Sequence, residues 1–279
     1  METKINKNDW HFYVPLTLGI LILLSTLIFV ILNGGQWFRY DPDPNNPKPV
    51  DDLYRVFGGA YTLAYFTNQT NLFVGVTLIV IAFVRTQKSY SWFFASNALI
   101  TITFLLYWTL LAPFKSDQSE WSNSPFFLFS TLFTHGINPL IGFIYMILIR
   151  NELIIDKKII GIAALYVSLY YVFSIIFYGI GGQNIINAEG KQEFQGGIIY
   201  GFLNPKKLFF IPLENLPVLA IFLNLLVFFI APFLAILFSL IWIAALKIKT
   251  TENSYYKWVF KLKNKFNKKD EIKNQSSES

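Results

Sequence analysis

The 279-residue chain contains no cysteine. Disulfides, thiolate nucleophiles and cysteine-based metal sites are thereby excluded. Histidine is nearly as scarce. His11 and His135 are the only two, far apart in sequence and without a carboxylate pattern that would complete a metal shell. No metal and no cofactor is expected. Charge is thin as well: 14% of the residues are charged, where a soluble domain carries about a quarter. Apolar residues fill the difference, at 54% hydrophobic and 18% aromatic.

Those apolar residues are gathered into runs near twenty residues long, the length that crosses about 30 Å of hydrocarbon. Six spans are read at roughly 12–33, 62–84, 91–114, 125–149, 158–180 and 216–246. The fold class is therefore all-α, a polytopic bundle of six transmembrane helices. Residues 1–250 form the membrane domain and 251–279 a basic tail. If loops alternate sides, 16 of the 23 Lys and Arg fall on one side and seven on the other. The excess should face the cytoplasm, which puts both termini inside and makes a multi-pass protein of the cell membrane. The formal charge of +6 then belongs to topology and lipid contact rather than to nucleic acid.

The first span reads as an uncleaved anchor, with His11 as a wet interfacial residue at its cytoplasmic edge. The following loop, Asp41 to Pro49, carries four prolines in nine residues and is expected to be an extended spacer. Its acidic residues lack the glycine and closing glutamate of a calcium loop. In span five, Tyr166, Tyr170, Ser174 and Tyr178 recur at every turn. The outer loop 181–213 is too long for a plain connector and is expected to fold over the outer mouth. Span six exceeds the hydrocarbon thickness, and Pro232 offers a kink point. In the tail, Tyr255, Trp258, Val259, Leu262 and Phe266 share one helical side and lysines the other. That pattern suits a short helix on an anionic leaflet, before a disordered end. No internal repeat is present, which weakens a transporter reading.

Function points to span four, which carries His135 well inside its ends. A titratable group within a membrane is costly and normally faces the bundle interior, so it marks a functional site by default. Thr131, Thr134, His135 and Asn138 share its face. Pro139 weakens the backbone ladder at the His135 carbonyl, and Gly136 and Gly142 permit close approach by a neighbouring helix. In span two, Thr67-Asn68-Gln69-Thr70-Asn71 is a polar block at the outer end. With helix starts at Thr62 and Phe126, Thr67 lies about 8 Å and His135 about 14 Å below that end. Thr67 or Thr70 could then meet the imidazole as a nucleophile–base pair. Asn71 and Asn138 could donate to an oxyanion. Trp108 reads as an interfacial belt residue.

The segments Tyr65-Phe-Thr67-Asn-Gln-Thr-Asn-Leu72, His135-Gly-Ile-Asn-Pro-Leu-Ile-Gly-Phe-Ile-Tyr-Met146 and Ile199-Tyr-Gly-Phe-Leu203 resemble the androgen-induced/androgen-dependent family of membrane hydrolases. The resemblance covers most of 60–245. That family cleaves fatty acid esters of hydroxy fatty acids with an intramembrane threonine and histidine. The resemblance implies those roles for Thr67 and His135. Two other readings stand beside a lipid-ester hydrolase or acyl transferase. One is a non-catalytic lipid- or small-molecule-binding carrier, which needs a cavity reaching both sides. The other is a structural membrane protein with a satisfied core histidine, which needs a filled bundle.

Overall fold

The apolar runs become six helices long and apolar enough, by length and composition, to cross a membrane. The computed structural model describes residues 10–37, 52–112, 125–186, 192–208, 211, 213 and 215–251. The candidate spans are α1 (Trp10–Trp37), α3 (Phe66–Phe83), α4 (Gln87–Leu106), the pair α5 (Pro125–Leu132) and α6 (Asn138–Leu148), α7 (Lys158–Ile180) and α8 (Pro217–Leu246). A short α2 (Asp52–Phe57) precedes the second span. The proline-rich segment 41–49, the connection 116–124 and the tail from residue 252 lie outside the described residues, and with them the expected spacer and the amphipathic lysine helix.

Local chemistry moves two helix starts. The third span begins at Gln87 instead of near 91 because Thr86 and Ser89 cap each other. The Ser89 N–H donates to Thr86 Oγ1 and the Thr86 N–H to Ser89 Oγ, so two orphan donors of the first turn are satisfied. The second span begins at Phe66 instead of Thr62. Gly58 adopts φ +56°, Gly58–Ala64 winds as a 3-10 turn, and Tyr65 is extended. Thr67 therefore sits in the first turn of α3, not more than a turn below its end.

Two π segments interrupt the third and fourth spans, Tyr107–Leu111 after α4 and Phe133–Ile137 between α5 and α6. Pro139 accounts for the second. Lacking an N–H, it cannot donate to the His135 carbonyl, and a π turn absorbs such a break. The Trp108 indole N–H takes that carbonyl at 2.8 Å. Trp108 thus fastens span three to span four, a more specific task than the belt role expected of it.

The all-α expectation holds for the spanning body but misses two small sheets. β1 (Ile154–Asp156) pairs in parallel with β4 (Lys249–Thr251), and β2 (Gln183–Ile186) pairs antiparallel with β3 (Gln192–Gln195). The first pair draws together the connections that the lysine count puts on one side. Around it the Asp156 N–H donates to Ser91 Oγ at 3.0 Å, Gln87 Nε2 to Thr251 Oγ1 at 3.0 Å, and the Tyr90 hydroxyl to Glu152 at 3.0 Å. His11 also belongs to this lower end. Its Nδ1 lies 3.4 Å from Glu152 Oε1, so it has a carboxylate partner and is not simply wet.

Packing is closest where side chains are smallest. A Cβ on Gly19 would lie 2.8 Å from the Gly75 carbonyl oxygen, so α1 and α3 cross backbone to backbone. The lower half of the bundle is filled by Leu78, Phe93, Phe94, Met146 and Ile149, all nearly inaccessible. Helix α8 is 30 residues long, about 45 Å. It passes Pro232 without interruption and is anchored by the Trp242 indole N–H donating to Thr101 Oγ1 at 2.9 Å. Open space lies in the upper half, beneath the 3-10 turn and the β2–β3 hairpin, and in a separate recess at the lower surface beside Gln87, Trp92 and Lys158.

Candidate functional site

The first turn of α3 needs partners for its N–H groups, and Tyr65 at its N-cap supplies no side-chain bond. Two tyrosines from elsewhere supply them. The Phe66 N–H donates to the Tyr170 hydroxyl at 3.0 Å, and that hydroxyl donates onward to the Ala64 carbonyl at 2.9 Å. The Thr67 N–H donates to the Tyr200 hydroxyl at 3.3 Å, and the Thr67 and Tyr200 hydroxyls are also 3.3 Å apart. Tyr200 comes from the long loop after α7, and there the loop reaches inward to the start of α3. Burial pushes the Tyr200 hydroxyl above its usual pKa, partly countered by its bonds to Thr67. It is a neutral phenol at physiological pH.

The polar block that follows has mostly structural work. Asn68 Nδ2 donates to the Thr62 carbonyl at 2.8 Å and Gln69 Nε2 to the Leu63 carbonyl at 2.9 Å, closing the 3-10 turn. Thr70 Oγ1 donates to the Thr67 carbonyl and lies 3.1 Å from Thr103 Oγ1. Asn71 Nδ2 bridges the carbonyls of Thr67 (2.8 Å) and Thr134 (2.9 Å). Asn138 accepts from Ser25 Oγ at 3.3 Å and donates to Thr26 Oγ1 at 3.4 Å, tying α6 to α1. Thr70, Asn71 and Asn138 are fully buried. The amide donors considered for an oxyanion are thus already directed at protein oxygens, and none of these three residues lines either of the two cavities beside His135.

Thr67 and His135 stand apart from that set. Both line two cavities that meet at one wall, and Tyr107 and Tyr200 complete the wall. On one side is a cavity of about 130 Å³ enclosed by apolar groups such as Ile102, Leu106, Val167, Val227 and Leu234. On the other is a hollow of about 360 Å³ bordered by Thr62, Asn68, Ser130, Thr131 and Thr134. The imidazole is half-buried and stacks on the Tyr107 ring, with centroids 3.8 Å apart. A hydroxyl, an imidazole and a phenol therefore stand where an apolar compartment adjoins a more polar one, whose wall mixes these hydroxyls and amides with Phe29, Tyr61 and Ile199.

The tyrosine stripe of α7 serves the α3 terminus more than the histidine: the Tyr166 hydroxyl donates to Gln69 Oε1, and Ser174 bonds within its own helix. Tyr170 alone of the stripe lines the apolar cavity together with His135. Of the glycines noted beside His135, Gly142 makes a close approach, whereas Gly136 has only ordinary contacts. Tyr200 and Tyr107 were not singled out as site residues by sequence. Tyr200 does belong to the Ile199–Leu203 segment that carries the resemblance. Among the described residues no group of three or more His, Cys, Asp or Glu is placed to hold a metal ion. Comparison of the chain with protein-family models, with curated proteins and with solved structures finds no match.

Proposed function

We propose that this is a membrane-embedded lipid-ester hydrolase in which Thr67 supplies the nucleophile and His135 the base. One observation carries the reading: Thr67, Tyr107, His135 and Tyr200 line both the apolar cavity and the polar hollow. An ester at that wall has its acyl chain in apolar surroundings and its carbonyl within reach of water. Thr67 Oγ1 attacks the carbonyl carbon and its proton passes to the imidazole, which then protonates the departing alkoxide. Water from the polar hollow, deprotonated by the same imidazole, cleaves the acyl-threonine and restores the hydroxyl. The neutral Tyr200 phenol, already bonded to Thr67, is the group suited to donate to the developing oxyanion. The resemblance of the Thr67, His135 and Ile199–Leu203 segments to membrane ester hydrolases supports the same assignment.

A carrier fits less well, because the lower half of the bundle beneath the site is filled by large side chains. Lipid binding without cleavage is the second reading, favoured by the predominantly apolar lining of the inner cavity. A fluorophosphonate probe applied to the protein in liposomes tests the first. Wild type should be labelled, and Thr67→Ala and His135→Ala should not. Labelling that persists in both variants removes the threonine–histidine mechanism.

A further inference from the structure

The apolar cavity beside Thr67 and His135 measures about 130 Å³. An engineered apolar cavity of about 150 Å³ takes up one benzene, or roughly six carbon atoms. A long fatty chain does not fit a space of that size. The surroundings limit its growth. Downward, each lining helix runs into closed packing: Leu99 lies a turn below Ile102 on α4, Ala163 a turn below Val167 on α7, and Ala235 follows Leu234 on α8. All three are inaccessible or nearly so. Toward the open groove between α7 and α8 stands Tyr171, which lines both spaces and is held by its hydroxyl donating to Asn224 Oδ1 at 2.8 Å. Upward is the wall that carries the threonine and the histidine.

Depth is set along α8. Val227, Ala231 and Leu234 recur at offsets of four and three, so they present one stripe to the cavity. From the first to the last is about 10 Å of helix. Among the described residues that line the cavity, Ala231 alone has no side-chain atom beyond Cβ. The room at mid-depth therefore depends on that small residue. We propose that the cavity gauges acyl length. The ester cleaved at Thr67 carries a short acyl group of about six carbons, shorter than the fatty acyl groups handled by the family the chain resembles. Its terminal methyl lies beside Ala231 and Leu234, and Ala231 sets the limit. The inference rests on the proposed function for the ester itself and adds the length of the acyl group.

The full chain in nanodiscs, given p-nitrophenyl acetate, hexanoate, octanoate and dodecanoate, provides the test. Wild type should cleave hexanoate well and dodecanoate poorly. Comparing each variant with wild type at one chain length cancels partition of the ester into the bilayer. Ala231→Phe should slow hexanoate about tenfold, the ordinary effect of a pocket mismatch, and leave acetate nearly unchanged. Leu234→Ala should speed octanoate relative to hexanoate by about tenfold, a gain that misfolding does not produce. Binding is read without turnover in His135→Ala, using a hexanoyl ester with a terminal diazirine. Irradiation should give adducts on Val167, Ala231 and Leu234, and adding Ala231→Phe should remove them. Those adducts in a chain that cleaves no ester would keep the gauge and sink the hydrolase. Dodecanoate cleaved as fast as hexanoate, or hexanoate indifferent to Ala231→Phe, would overturn the gauge and leave the hydrolase standing. Absence of cavity adducts overturns the gauge whether or not the esters are cleaved.

Discussion

Tyr107 and His135 lie face to face, their ring centroids 3.8 Å apart and their planes 15° from parallel. Each ring is delivered by a π segment, one at the end of span three and one within span four. Such turns re-aim side chains and recur at functional sites. The stack fixes the tilt of an imidazole that would otherwise rotate in a partly open space. Trp108 reinforces it by holding the His135 carbonyl from the same π segment that carries Tyr107.

Tyr107 should therefore act through its ring. Tyr107→Phe keeps the stacked face and should label with a fluorophosphonate at close to the wild-type rate. Tyr107→Leu removes a contact of about 0.5–1.5 kcal/mol and should label about tenfold more slowly, with little change in melting temperature. Equal rates in the two variants would show that the stack does not position the histidine.

Tyr170 and Tyr200 offer a sharper comparison, because each caps one N–H of the same helical turn. Losing either hydroxyl leaves a donor unsatisfied, at a cost of about 1–3 kcal/mol. Only Tyr200 also bonds the Thr67 side chain. Tyr170→Phe should lower thermal stability in detergent and leave the labelling rate per folded molecule nearly unchanged. Tyr200→Phe should lower both, the rate by about 10²-fold if the phenol serves the oxyanion. Circular dichroism melts alongside probe labelling separate the two effects.

The contrast shows what a sequence can carry. Six long apolar helices were legible because hydropathy averaged over twenty residues is a property of the run itself rather than of any partner. Pro139 marked the weak point of span four for an equally local reason, a missing N–H. The start of α3 was not legible: Tyr61 to Ala64 are as suited to an α turn as to a 3-10 turn, and the choice is made by Gly58 and by Asn68 and Gln69 folding back on it. Tyr200 reaches Thr67 across more than a hundred residues, and no spacing rule spans that distance. The three-residue strands of β1 and β4 are too short to show any alternation.

Gly142 is a test of packing beside the site. An added Cβ there would fall 2.7 Å from Asn97 Oδ1 and 3.2 Å from Val74 Cγ1. Asn97 is fully buried and donates to the Phe93 carbonyl at 2.9 Å, so it has little room to yield. Gly142→Ala should cost about 1–3 kcal/mol through overpacking. At Gly136 the nearest atoms are Leu132 Cδ1 at 3.5 Å and Trp108 at 3.7 Å, and Gly136→Ala should be close to neutral. Melting temperatures that move together in the two variants would contradict this difference.

Asn71 and Asn138 decide between two uses of a buried amide. If they stabilised an oxyanion, removing one would cut the rate by about 10²–10³ with the fold intact. Their donors instead meet the Thr67 and Thr134 carbonyls and Thr26 Oγ1, bonds that hold α3, the second π segment and α1 together. Interhelical bonds of this kind average about 0.6 kcal/mol in membranes, and Asn71 makes one bond across helices and one within its own. Asn71→Leu should therefore lower the melting temperature and the folded yield, and Asn138→Leu, whose two bonds to α1 are longer at 3.3 and 3.4 Å, should do so to a smaller degree. The labelling rate of the molecules that do fold should stay within a fewfold of wild type. A folded, thermally normal Asn71→Leu protein with a rate hundreds of times lower would return the amide to the reaction.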